Sequence, residues 1–173
     1  MKNTLLLFVH YFENKRDYFE CHEIMEDSWK CKAHYTKQDF EVVLILFATG
    51  LYHLRRNNIT GAIRTLRKAQ FTLRQIDLSP YHQFIDIHHL DSTLSSLIES
   101  EQYRQITFPL KSEMRALFNE QYGTHSDEIN DEIIHKHVRR DRTQIINARL
   151  KALNDKKPVH KSPDKCHHCN KRQ

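Results

Sequence analysis

His22, Glu23 and Glu26 lie within five residues of one another in the string Cys21-His22-Glu23-Ile24-Met25-Glu26. An imidazole beside two carboxylates can hold a divalent metal or move a proton. At about 100° per residue, Tyr18, His22, Met25 and Trp29 fall along one face of a helix, with Glu26 at its edge beside Phe19. A second histidine, His53, shares a face of a later helix with Leu46, Gly50 and Asn57, and Gly50 lets a neighbour come close. If the two faces meet, His22, Glu26 and His53 converge with Glu23 nearby. Trp29 and Asn58 complete this candidate polar pocket.

Two readings of the pocket stand open. In one, His22, Glu23, Glu26 and His53 carry out acid-base or metal-assisted hydrolysis, with or without a divalent metal as cofactor. In the other the cluster is a buried polar network without a reaction, in which His22 and Glu26 hydrogen-bond at i, i+4 and His53 or a helix end satisfies the remaining atoms. The string is His-Glu-x-x-Glu, so the His-Glu-x-x-His motif that puts two zinc-binding imidazoles on one helix turn is absent. Tyr18 and Trp29 fit core aromatics whose polar tips find partners.

Two further groups of residues carry chemistry. Between Glu41 and Asp77 there is no acidic residue, whereas Arg55, Arg56, Arg64, Arg67, Lys68 and Arg74 all fall there. Ala62, Leu66, Ala69 and Leu73 form a packing seam, which throws Arg64, Arg67, Lys68 and Arg74 to the other side as a basic surface. That surface is either an ordinary solvated face or a footprint for nucleic acid. In the tail, Cys166-His167-His168-Cys169 has the Cys-x-x-Cys spacing of a zinc site, but zinc needs four ligands and no second pair follows. Cys166 and Cys169 are therefore half a metal site, to be completed only by a strained histidine or a second chain.

The elements that must position these residues are helices. Three glycines and four prolines punctuate 173 residues rich in Leu, Ile, Lys, Arg and Glu, a balance that predicts an all-α fold. A first helix spans Thr4 to Glu13; a second begins at Asp17, where Asp-x-x-Glu makes a capping box, and ends near Cys31. The third starts after Thr36 and reaches about Arg56, with apolar side chains at every angle between Val42 and Leu54, so it is the enclosed one. Asn57 and Asn58 tolerate left-handed backbone and end it, and Thr60 caps a fourth helix to about Gln75. Asp86 caps a fifth over Ile87 to Glu99, and Pro109 opens a short one that stops before Gly123.

The compact multi-helical array of about five core helices thus covers residues 1–122. A long basic C-terminal helix follows over 126–154, with Ile134, Val138, Ile145, Ala148 and Ala152 as a stripe that must pack on the domain or on a second copy of the chain. Asp141, in the middle of that stripe, reads as a paired structural acid. Residues 155–173 read as a disordered lysine-rich tail.

Four cysteines so unevenly placed do not make a secreted disulfide scaffold, and the apolar stretch Leu5 to Val9 is too short for a signal peptide. No run approaches the ~20 apolar residues of a membrane span. The expectation is a cytoplasmic protein with no membrane. The net charge of +5 allows an acidic partner without requiring one.

Two blocks carry a resemblance. Asp17 to Trp29, DYFECHEIMEDSW, and Tyr52 to Ala62, YHLRRNNITGA, resemble the aromatic-Phe-Glu-x-His-Glu-x-x-Glu-x-x-Trp and His…Asn-x-x-Gly-Ala signatures of a bacterial family, domain of unknown function 309 (DUF309). The match lies within residues 10–75. The resemblance implies a compact helical array and no particular reaction. Where the family often shows Gly-Leu-Ile-Gln, this chain reads Val43-Leu44-Ile45-Leu46, so a polar pocket shared across the family is less polar here. With no phosphate loop, nucleophile elbow or complete metal motif, the leading expectation is a non-enzymatic binding or interaction module, its partner a protein, a second copy of the chain or, through the basic helices, nucleic acid. The hydrolase is the alternative.

Overall fold

The computed structural model describes residues 2–128, 131, 133 and 134, all within a compact unit, Met1–Val138. Among them are six α-helices: α1 (Lys2–Val9), α2 (Tyr18–Lys30), α3 (Phe40–Arg55), α4 (Ile59–Leu73), α5 (Ile87–Ser100) and α6 (Ser112–Tyr122). The all-α expectation holds, and no strand occurs among the described residues beyond the single bridge Ile85–Leu110. The expected long helix over 126–154 lies almost wholly outside the described residues. The tail 155–173, with Cys166 and Cys169, lies entirely outside them. No described helix is long and apolar enough to cross a membrane.

Each helix from α1 to α5 packs on the next, with α3 making its largest contacts to α4 and α2. The reason is compositional: no residue of α3 is exposed, and Phe40, Val43, Leu44, Phe47, Ala48, Leu51 and Leu54 are buried around its axis. The enclosed helix is therefore the one expected. Phe12, Phe47 and Phe108 meet with ring centroids 5.2–6.4 Å apart and, with Phe8 and Tyr18, form the aromatic centre of the core.

Several boundaries follow local chemistry. Asp17 caps α2 by accepting from the Glu20 amide at 3.0 Å, and Asp86 caps α5 from the His89 amide at 3.0 Å, as the sequence predicts. Other expectations need correction. The first helix ends at Val9 and passes into a π-helical turn, His10–Asn14. The third begins at Phe40, because Asp39 is turned back to accept from the Thr36 amide at 2.8 Å. The cap of α4 is Asn58, not Thr60: its side-chain oxygen accepts from the Gly61 amide at 3.1 Å. Only Asn57 is left-handed, at φ 57°, while Asn58 has φ −89°. The last helix starts at Ser112 rather than Pro109, since Asp86 takes the Pro109 carbonyl and Lys111 the Phe84 carbonyl in the Ile85–Leu110 pairing.

Candidate functional site

The α3–α4 connection shows how the second signature works. Asn58 uses both halves of its amide: the oxygen caps α4, and the nitrogen lies 3.1 Å from His53 Nδ1. An amide nitrogen only donates, so His53 Nδ1 accepts and the ring proton sits on Nε2. A Cβ on Gly61 would lie 2.7 Å from Asn58 Nδ2, so glycine there leaves room for the amide. Ala62 is fully buried in the seam against α3. His…Asn-x-x-Gly-Ala is thus a device for holding one histidine. Burial, and then the neighbouring Arg56 charge, hold its pKa below the usual histidine value.

On α2 the other histidine has carboxylate company. His22 Nδ1 is 3.2 Å from Glu23 Oε1 and 4.0 Å from Glu26 Oε2, while Glu26 Oε1 takes Lys30 Nζ at 2.8 Å. The donor atoms of His22, Glu23 and Glu26 all lie within 4.8 Å of one another. Each of these side chains keeps about a third of its surface in solvent, at 32%, 30% and 32%. The expectation of a buried cluster is corrected accordingly: α2 places these groups at the edge of the bundle, where water reaches them.

The two histidines do meet one space. A cleft of about 170 Å³ between α2 and α3 is lined by Tyr18, Phe19, His22, Thr49, Tyr52, His53 and Arg56. Glu23 and Glu26 sit beside His22 outside its wall, and Asn58 acts on it through His53. Trp29 belongs elsewhere. Its indole donates to the Thr36 carbonyl at 2.8 Å and to Asp39 Oδ2 at 3.0 Å, and its ring meets Tyr35 edge-on, closing the α2–α3 loop. The space left by Gly50 is used by α4: a Cβ there would fall 2.4 Å from Leu66 Cδ2.

None of Thr49, Tyr52 and Arg56 was placed in the pocket from the sequence: Tyr52 entered only in the second signature block and Arg56 only in the basic run. Their spacing with His53, i, i+3, i+4 and i+7, is that of one helix face, and Tyr18 and His22 are four apart on α2. Arg56 packs over the Tyr52 ring at 5.3 Å and donates to its hydroxyl at 3.0 Å. Its Nε is buried without an acceptor among the described residues.

The basic run divides in space. Arg55 turns inward, donating to the Arg16 carbonyl at 2.6 Å and the Ile133 carbonyl at 3.2 Å, 4.8 Å above the Tyr18 ring. The seam Ala62, Leu66, Ala69 and Leu73 is buried and Arg64, Arg67 and Lys68 are exposed opposite it. Arg74 is exposed but grips Asp91 of α5 with two hydrogen bonds, at 3.0 and 2.8 Å.

The fold and cleft together define a class: an all-α protein in which a solvent-reached His/Glu group borders a small cleft between two core helices. The chain belongs to the family described as "Domain of unknown function (DUF309)", whose model matches residues 5–65, from α1 into α4 and so across both signatures. It is similar to the "Uncharacterized protein YpuF" of Bacillus subtilis (strain 168), 32% identical over 158 residues, which are 84% of this chain and 91% of that relative. No solved structure matches the chain.

Proposed function

We propose that this protein is a binding module that takes a small anionic ligand, a carboxylate or a phosphate, in the cleft between α2 and α3. The reading is carried by Arg56, whose side chain lines the cleft beside His53 and spends one terminal nitrogen on the Tyr52 hydroxyl. A hydrogen bond from a charged group is worth about 1.5–3 kcal/mol, which favours an anion at this wall. The planar guanidinium matches carboxylate and phosphate geometry. His53, kept neutral with its proton on Nε2, adds a second donor on the same wall. A volume near 170 Å³ suits a group the size of several waters.

The hydrolase alternative is less well supported at His53. The lone pair on its Nδ1 is taken by Asn58, so in this tautomer the ring offers a hydrogen bond from Nε2–H and has no free lone pair with which to take a proton. A nucleic-acid footprint retains Arg64, Arg67 and Lys68 but shares Arg74 with Asp91.

The test is calorimetric titration of the full chain with inorganic phosphate and with succinate, in parallel with Arg56→Gln. Saturable binding of either anion, weakened about tenfold or more in Arg56→Gln, is the expected result, matching the worth of a charge-assisted hydrogen bond. Absence of binding to both anions, or equal affinity in the variant, overturns the proposal.

A further inference from the structure

We infer that His22, Glu23 and Glu26 form a binding site for a first-row transition-metal dication at the mouth of the α2–α3 cleft. The donor set is mixed, one imidazole nitrogen and two carboxylate oxygens, which suits zinc, manganese, iron or cobalt better than calcium or magnesium. Its charge also favours a cation: two carboxylates stand beside the imidazole, one of them already paired with Lys30. In the absence of an ion the two carboxylates face each other, since their donor atoms lie within 4.8 Å.

The spacing is close to what coordination requires. Donors about 2.0–2.2 Å from one ion stand about 3–3.5 Å apart. His22 Nδ1 and Glu23 Oε1 are 3.2 Å apart already, Glu26 Oε2 stands 4.0 Å from His22 Nδ1, and with all donor atoms within 4.8 Å of one another the remaining gaps close by rotation of the two glutamate side chains. Glu26 is held for the purpose, because its other oxygen is anchored 2.8 Å from Lys30 Nζ, an outer partner of the kind that orients a ligating carboxylate. On binding, the Nδ1–H that now faces Glu23 is lost and the proton moves to Nε2 or to solvent, freeing the Nδ1 lone pair. The partial exposure of all three side chains leaves a path for the ion.

Three protein donors leave coordination positions open, and His22 is shared between the metal group and the cleft wall. The open positions therefore belong to a ligand seated in that cleft. The inference deepens the anion-binding proposal and rests on it for that ligand, whereas metal capture by the three side chains does not depend on it.

The experiment uses the full chain carrying Cys166→Ser and Cys169→Ser, so that tail thiolates cannot contribute, and titrates Zn²⁺ by calorimetry and Co²⁺ by visible absorption. One ion per chain is expected, with cobalt bands free of thiolate charge transfer. His22→Ala and Glu26→Gln are each expected to weaken binding about tenfold or more, with circular dichroism showing both folded. Glu26→Gln keeps shape and size, so it remains informative if His22→Ala unfolds. No stoichiometric binding in the cysteine-free chain, or unchanged affinity in a folded Glu26→Gln chain, overturns the site. Metal binding with no response to phosphate or succinate supports this site and defeats the anion proposal. Anion binding by a chain that takes no metal does the reverse.

Discussion

Asn58 does two things with one amide, and they are separable by substitution. Asn58→Asp keeps a capping oxygen for the Gly61 amide, so at pH 8 its unfolding free energy should stay within about 0.5 kcal/mol of the parent, whereas Asn58→Ala loses about 1 kcal/mol. In Asn58→Asp, however, an acceptor faces His53 Nδ1 where a donor stood, which stabilises the protonated ring. The expected outcome is an upward move of the His53 titration, followed by NMR of its ring protons. An unchanged titration would mean that the 3.1 Å contact does not govern the tautomer. The same histidine contributes to pH dependence. His53 and His10 are both held below the usual value, His53 by burial and then Arg56, His10 by burial and then Lys15 against the opposing pull of Asp127. Both rings bind protons more readily unfolded than folded. Their contribution to stability is therefore complete above the ordinary value near 6.5 and is lost as pH falls through their folded values. Urea unfolding between pH 8 and pH 5 should show this fall, and His53→Gln should flatten part of it.

Among the elements, α3 and α4 are coupled by a glycine. Leu66 of α4 fills the space a Cβ at position 50 would occupy, with a 2.4 Å separation that a methyl group cannot accept without displacement. Gly50→Ala gains helix propensity but overpacks this contact, and a net loss of about 1–3 kcal/mol is expected from denaturant unfolding. Gly61→Ala works differently: the atom in its way is the end of the Asn58 side chain, at 2.7 Å, which can swing aside. That change should cost less stability than Gly50→Ala while releasing His53. The α2 start and the α5 start were readable because Asp17 and Asp86 cap through contacts three residues away. The α4 start was misread by two residues. Asn58 and Thr60 are both competent caps, and what favours Asn58 is its partner across the turn, His53.

Over the whole described unit, the chain beyond α5 is tied back to the beginning of the molecule. Glu13, in the π-helical turn, accepts from the Phe108 amide at 2.7 Å and from both Arg115 terminal nitrogens at 2.8 Å. Phe108 is fully buried against Phe8, Phe12 and Phe47. Phe108→Ala should therefore destabilise the unit by about 3–5 kcal/mol, as for other buried phenylalanines, in a single cooperative unfolding transition. A loss below about 1 kcal/mol would show that residues 101–111 dock on the core without contributing to it. The loop that carries Phe108 has no periodicity of its own, so nothing in the sequence pointed to it.

Helix content, the enclosed third helix, the α4 seam and the pairing of both signatures with histidines were legible in the chain because each depends on periodicity or on residues a few positions apart. The cleft was legible only in part. His22 and His53 could be named from their spacing, yet whether they met in a sealed core or at an open edge depended on how α2 leans on α3, a relation between residues some thirty positions apart. Arg55 and Arg56 make the same point: adjacent in sequence and alike in chemistry, they part in space, one bound inward to the Arg16 carbonyl and the other lining the cleft on Tyr52. Long flexible guanidinium side chains take their direction from the acceptors and rings around them, and those are assembled by packing.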